Sequence, residues 1–198
     1  VQSLDDQPLN YRVNKTMMRI DLNKPLLPGE KYAFKIAWWY QINNRMKVGG
    51  RSGYEYFQEH DNYLYTIAQF YPRMCVYNDV EGWQNKQFLG RGEFALSFGN
   101  YEVDITVPSD HIVAATGTLV NANQILPEEK RELLRKARKK HEEPTIIYSE
   151  QEAVKREKSK SEETTTWRFQ ADSVRDFAFA SSRKFIWDAM GVPMSNGD

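Results

Sequence analysis

The strongest constraint on the fold is a two-residue apolar period that recurs through the first two thirds of the chain. From Tyr32 the even positions Phe34, Ile36, Trp38, Tyr40 and Ile42 are apolar, and from Tyr101 the odd positions Val103, Ile105 and Val107 alternate with Glu102, Asp104 and Thr106. Successive strand residues leave opposite faces of a sheet, so this spacing gathers the apolar set on one face and predicts half-buried strands. Turn signals separate the runs: Lys24-Pro-Leu-Leu-Pro-Gly29, Gly49-Gly50, Gly90-Arg-Gly92, Gly99-Asn100 and Pro108-Ser-Asp110. Their spacing is that of antiparallel domains, and the fold class read from it is mainly β: a large twisted antiparallel sheet or β-sandwich. No internal repeat is present.

Phe94, Leu96 and Phe98, then Tyr101 to Val107, then Ile112 to Val120 predict a β-meander, with Gly99-Asn100 as a two-residue hairpin loop because both residues tolerate positive φ. Beyond it the composition shifts. From Glu128 to Glu163 Lys, Arg, Glu, Ser and Thr dominate. Pro127 suits the first turn of a helix over Glu128 to Lys140, which Pro144 would stop, so residues 124–164 read as a charged helical insertion. Ser149 to Thr166 reads as a mobile, poorly packed connector. Strand pattern resumes at Trp167 and runs through Val174 to Ser182, and Met190 to Asp198 reads as a frayed tail.

The chain of 198 residues, 40% hydrophobic and 13% aromatic, suffices for one domain with a sizeable core, or one domain plus an appendage. Its formal net charge of +0 removes the global attraction that nucleic-acid and anionic-membrane binders use. The basic cluster Lys130, Arg131, Arg135, Lys136, Arg138, Lys139 and Lys140 is hemmed by Glu128, Glu129, Glu132, Glu142 and Glu143, and reads as a solvated helix face, not a nucleic-acid surface. No run approaches the length of a membrane span. The start at Val1, without Met, basic n-region or apolar h-region, reads as a piece cut from a longer chain.

Chemistry is sparse. The single cysteine, Cys75, can form no internal disulfide and reads as a small buried hydrophobe. His60 and His111 are isolated and read as turn or packing residues. His141-Glu142-Glu143-Pro144 begins like a zinc helix, but the proline would break it, so no metal ligand set is read in this chain. Ser181-Ser182 lacks a nucleophile elbow. Trp38-Trp39 on one strand would send one ring to each face, the outward ring packing on neighbouring segments or stacking on a ligand. The densest signature is Gln69-Phe-Tyr-Pro-Arg-Met-Cys-Val-Tyr-Asn-Asp79, in which Pro72 stiffens a loop, Arg73 and Asp79 can form a bidentate clamp, and Gln69 offers an amide carbonyl to a ligand ammonium.

That signature resembles the amino-terminal β domain of gluzincin zinc aminopeptidases, the family of aminopeptidase N and leukotriene hydrolase, in its bacterial form. Gly82-Trp-Gln, Phe88-Leu-Gly-Arg-Gly-Glu-Phe, Asn100-Tyr-Glu-Val-Asp-Ile-Thr-Val-Pro, Ala115-Thr-Gly-Thr-Leu and Trp167-Arg-Phe-Gln-Ala-Asp-Ser-Val-Arg-Asp-Phe-Ala-Phe-Ala follow in the family's order. The resemblance implies residues 1–182 as the amino-terminal domain and 183–198 as the start of a linker to a catalytic domain. It implies Gln69 as the substrate-binding residue for a peptide amino terminus, with Pro72, Arg73 and Asp79 as its structural frame. No catalytic residue is assigned here. The zinc ion and the His-Glu-x-x-His helix would belong to that catalytic domain, the partner in cis, and the setting implied is the bacterial periplasm or cell envelope. The rival readings are a stand-alone β-sandwich that binds carbohydrate or protein through Trp38, Trp39, Trp83 or Tyr101, and part of a pseudoenzyme.

Overall fold

In a computed structural model, which describes residues 1–90 and 95–195, the chain is mainly β, its strands gathered into several antiparallel sheets. It divides into two compact units, Val1–Gln41 with Tyr71–Ser97, and Ile42–Phe70 with Phe98–Asp198.

The first unit is built of two-stranded ribbons. β1 (Gln2–Ser3) pairs β4 (Phe34–Lys35), β2 (Asn10–Asn14) pairs β3 (Met17–Asp21), and β7 (Tyr77–Asn78) pairs β8 (Gly82–Trp83). Gln87 holds the β2–β3 turn: its Oε1 accepts from the Thr16 amide and hydroxyl at 2.9 and 2.8 Å, and its Nε2 donates to the Asn14 carbonyl at 2.9 Å. The strand expected over Tyr32 to Ile42 is paired only at Phe34–Lys35. Period-two burial does persist at Tyr32, Phe34 and Ile36, but Trp38, Trp39 and Tyr40 are all exposed. Alternation marks an extended chain; a strand also needs a partner backbone, and β1 offers two residues of one. Trp38-Trp39 therefore lies outside the sheets of the described residues instead of straddling one.

The second unit holds the larger sheets. β5 (Gly53–Phe57), β6 (Asn62–Ile67), β10 (Ile112–Ala115) and β14 (Phe179–Ser182) form a four-stranded sheet in the order β10-β14-β6-β5, with α1 (Arg45–Val48) ahead of β5. β9 (Gly99–Pro108), β11 (Thr118–Leu119) and β13 (Thr164–Val174) form a three-stranded sheet centred on β13. The predicted alternation in β9 is seen directly: Glu102, Asp104 and Thr106 are exposed, while Tyr101, Val103, Ile105 and Val107 turn inward. Across the ladder Ile105 faces Trp167, Val103 faces Phe169, and Asp104 faces Arg168. Trp167, Phe169, Ala171 and Phe177 complete the buried centre.

The meander is corrected. β9 pairs β13, about sixty residues downstream, and β10 joins the other sheet, because β13 offers β9 a register in which apolar meets apolar and charge meets opposite charge. Gly99 and Asn100 lie inside β9 instead of forming a hairpin loop. Gly99 pairs Val174 across a bulge where Ser173 takes φ +54° and donates its amide to Asn100 Oδ1 at 2.9 Å. Phe94, the first apolar residue of that meander, and Arg91-Gly92 of the expected Gly90 turn lie outside the described residues, and 95–98 form no strand.

The charged insertion is helical where expected, but it is packed. α2 (Ala122–Ile125) leads to α3 (Glu128–Ala137), with Pro127 at the N-cap, and α3 ends ahead of Pro144. β12 (Thr145–Tyr148) pairs β15 (Trp187–Ala189) and buries Ile147. The stretch read as a mobile connector instead starts α4 (Glu150–Arg156) with a capping box, Ser149 Oγ accepting from the Glu152 amide and the Glu152 carboxylate accepting from the Ser149 amide. Nor is the basic face wholly solvated: Lys130 is buried, its Nζ 2.5 Å from Glu152 and 4.6 Å from the Tyr148 ring, which Arg156 covers at 4.7 Å. Burial pushes the Glu152 carboxyl up, but Lys130 and the Ser149 amide outweigh it and hold the group at about 2. The tail is tied at its start, Gly191 donating its amide to Ala137 O at 2.8 Å and accepting from His141 Nδ1 at 3.0 Å; residues 196–198 lie outside the described residues.

Candidate functional site

β6 is an inner strand of the four-stranded sheet, and it delivers Gln69 just past its end. Ile67, buried, pairs Phe179 on β14. Ser52 Oγ then clamps the strand exit, accepting from the Ala68 amide at 3.1 Å and lying 3.3 and 3.2 Å from the Thr66 and Ala68 carbonyls. Phe70, on the far side of Gln69, packs edge-on against Phe179 at 5.5 Å. Held from both sides, Gln69 takes φ +53°, a left-handed conformation that a side chain with a Cβ adopts at a cost of roughly 1–2 kcal/mol. Its side chain is exposed, and its amide makes no hydrogen bond among the described residues. Backbone strain of this kind gathers where surrounding structure fixes a residue for use.

Pro72, Arg73 and Asp79 belong to the other unit, the division falling between Phe70 and Tyr71. The expected Arg73–Asp79 clamp is corrected. Arg73 Nη1 donates to Tyr71 Oη at 3.2 Å, Nη2 donates to the Ser97 carbonyl at 3.3 Å, and the guanidinium lies 5.5 Å from the Tyr71 ring centre. Asp79 is exposed in the β7–β8 turn, where Asn78 Oδ1 accepts from the Val80 and Glu81 amides at 3.2 and 2.8 Å and Gly82 supplies φ +69°. Asp79 is exposed beside this Asx-capped turn and makes no ion pair with Arg73. Pro72 is exposed, and Cys75, read as buried, is only half-buried.

Sequence spacing gave no sign of the strongest polar cluster in the second unit. His111, 4% exposed, has Nδ1 2.8 Å from Ser181 Oγ, itself 1% exposed, across the β10–β14 pair. Asp110 next to it accepts from Arg183 Nε and the Ser161 amide, both at 2.8 Å, so its carboxylate serves Arg183 and not the histidine. Burial pushes the Asp110 carboxyl up, but Arg183 and the Ser161 amide leave it below its ordinary range. Without an acid to orient the imidazole or access for a substrate to Ser181, this is a packing tie and no nucleophile. Nearby, Lys184 Nζ donates to Glu157 at 2.5 Å, and Asn62 Nδ2 donates to the Glu157 carbonyl at 2.7 Å, joining α4's end to β6.

Burial, reinforced by Arg183 and opposed by Asp110, lowers the His111 imidazole to about 4. The folded state therefore resists a proton that the unfolded chain takes up near pH 6.5. Stability is complete above pH 6.5 and falls as the pH drops toward 4, by about 3 kcal/mol over that window. Denaturant titration should show this slope in the wild type and its loss in His111→Gln; equal slopes in both would refute the assignment.

Among the described residues no three His, Cys, Asp or Glu side chains are grouped as a metal ion would need. Nor is any helix among them long and apolar enough to cross a membrane. No protein-family model, curated protein or solved structure matches the chain.

Proposed function

We propose that this chain is the non-catalytic amino-terminal β domain of a zinc-dependent aminopeptidase of the gluzincin kind, acting in cis with a catalytic domain elsewhere in the polypeptide, with Gln69 receiving the free α-ammonium of the peptide substrate. The observation that supports it is Gln69 itself: an exposed, unpartnered amide in a left-handed conformation, clamped by Ser52 on one side and Phe70 on the other. An amide carbonyl accepts from an ammonium without adding charge, and the fixed backbone limits where Oε1 can point. Such a contact sets the distance from the substrate's amino terminus to its first peptide bond; it positions and breaks no bond. Activation of the attacking water would be the zinc ion's contribution, from residues outside this chain.

In the full-length enzyme Gln69→Ala is expected to raise KM for aminoacyl anilides roughly 10- to 100-fold, the worth of a hydrogen bond to a charged group. Gln69→Gly should do the same to KM while stabilising the domain by about 0.5–1 kcal/mol, since glycine carries no penalty at positive φ. Unchanged kinetics in both variants would sink the assignment, and a full-length protein with neither zinc nor activity would make it part of a pseudoenzyme.

A second reading draws on exposed aromatic rings in the first unit. Trp39 is 89% exposed, and Tyr77 and Trp83 form an exposed edge-to-face pair at 5.2 Å. Rings of that kind suit sugar stacking in a stand-alone binding module. Glycan binding by this chain that disappears in Trp83→Ala would favour it.

A further inference from the structure

Past β4, residues 36–41 of the first unit run on without a turn, a bend or a positive φ, and no strand lies beside them. Among the described residues Ile36, Ala37, Trp39, Tyr40 and Gln41 make no backbone hydrogen bond. Trp38 has contacts of its own, yet it too is exposed, at 49%, with Trp39 at 89% and Tyr40 at 47%. The unit around them has little core to draw them in, since Leu9 is its one buried apolar residue among those described.

Open backbone donors and acceptors beside exposed aromatic rings are covered together by one kind of element, another strand. A small ligand would cover the rings and leave the amides and carbonyls to water, and a helix has no backbone groups to give. Composition says whose strand it is. No charged residue, proline or glycine occurs from Ile36 to Asn44, and aromatic residues fill the middle, the pattern of a segment that pairs with its own copy.

Two copies laid antiparallel about Trp39 set Trp39 opposite Trp39, Trp38 opposite Tyr40 and Ala37 opposite Gln41. Rings then meet rings, and the two Lys35 side chains stand at opposite ends. A parallel copy in the same register would place Lys35 beside Lys35, and like charges directly opposite destabilise a strand pair. The antiparallel arrangement uses the same patch on both chains, so it closes at a dimer.

We infer that residues 37–41 are a self-association strand, through which two copies of this chain join antiparallel about Trp39. Sedimentation equilibrium of the intact chain from roughly 1 to 300 μM is expected to show a reversible monomer–dimer equilibrium in the micromolar range, that of a small interface. Trp39→Lys and Trp39→Glu should each weaken it about 30-fold, since each removes a central ring and sets like charges together. Circular dichroism should stay unchanged, because Trp39 packs on little in the monomer. Mixed in equal amounts, the two variants should associate about 5-fold more tightly than either alone, as only the mixture brings opposite charges together at the two-fold axis.

A wild type that stays monomeric across the range overturns the inference and leaves the strand to a partner of another sequence. So does a dimer that neither variant weakens, or a mixture that associates no better than its components. Open-ended aggregates in place of a dimer would refute the antiparallel closure. Gln69 belongs to the other unit and takes no part, so each outcome leaves the aminopeptidase reading where it stood.

Discussion

Phe177→Ala is expected to destabilise the second unit by about 3–5 kcal/mol, enough to leave much of the chain unfolded at 37 °C. Phe177 is wholly buried, and its ring lies 6.4 Å from Phe169 on β13 and 6.2 Å from Tyr101 on β9, on the inward face of that ladder. Truncation removes both contacts and leaves a void that a sheet fixed by eleven residues of β13 cannot collapse to fill. Phe177→Leu, which keeps most of the volume, should cost under half as much. Denaturant unfolding followed by far-ultraviolet circular dichroism measures both; an Ala variant within 1 kcal/mol of wild type would contradict this placement of the core.

The second large effect belongs to a charge pair. Arg183→Met should cost about 3–5 kcal/mol at pH 7, because it leaves the Asp110 carboxylate buried with its main partner gone. The two side chains are only 13% and 8% exposed, and one Asp110 oxygen already lacks a partner. Replacing both, Asp110→Leu with Arg183→Met, should recover part of that loss, since no charge is then left buried. The Asp110 carboxyl sits below its ordinary range in the fold, so its stabilisation is present at neutral pH and is lost as pH falls below about 4. That window lies beneath the one set by His111, so the two losses separate in a stability profile. A double variant as unstable as Arg183→Met alone would show that the pair is not what the buried site depends on.

Much of the secondary structure is legible in the chain. β9 can be read from Tyr101 to Val107 because one face of an antiparallel strand must be apolar wherever the other meets water. α3 can be read from Pro127 and the composition that follows. α4 carried a signal too, the Ser149-to-Glu152 capping box followed by Ala153, hidden beneath a polar composition that resembles a disordered connector.

What the chain could not disclose is pairing. Nothing local to β9 points to β13, and the nearer apolar run in β10 was the more obvious neighbour, yet β10 sits with β14. The same holds for the polar groups: His111 and Ser181 are seventy residues apart, and so their contact has no spacing to read. Arg73 and Asp79, six apart, looked like a pair until the Asx turn at Asn78 carried the aspartate to solvent.

The candidate site divides in the same way. Sequence alone determined that residue 69 is a glutamine within an aromatic, Pro-Arg signature, and therefore which atoms it can offer a ligand. Only tertiary structure decided its conformation: the Ser52 clamp and the Phe70–Phe179 contact hold a backbone angle that glutamine does not choose for itself. Apolar period and turn chemistry are local properties, fixed by neighbours a few residues away. Strand partners, buried charge pairs and strained conformations depend on contacts between distant segments, and those exist only when the whole unit has folded.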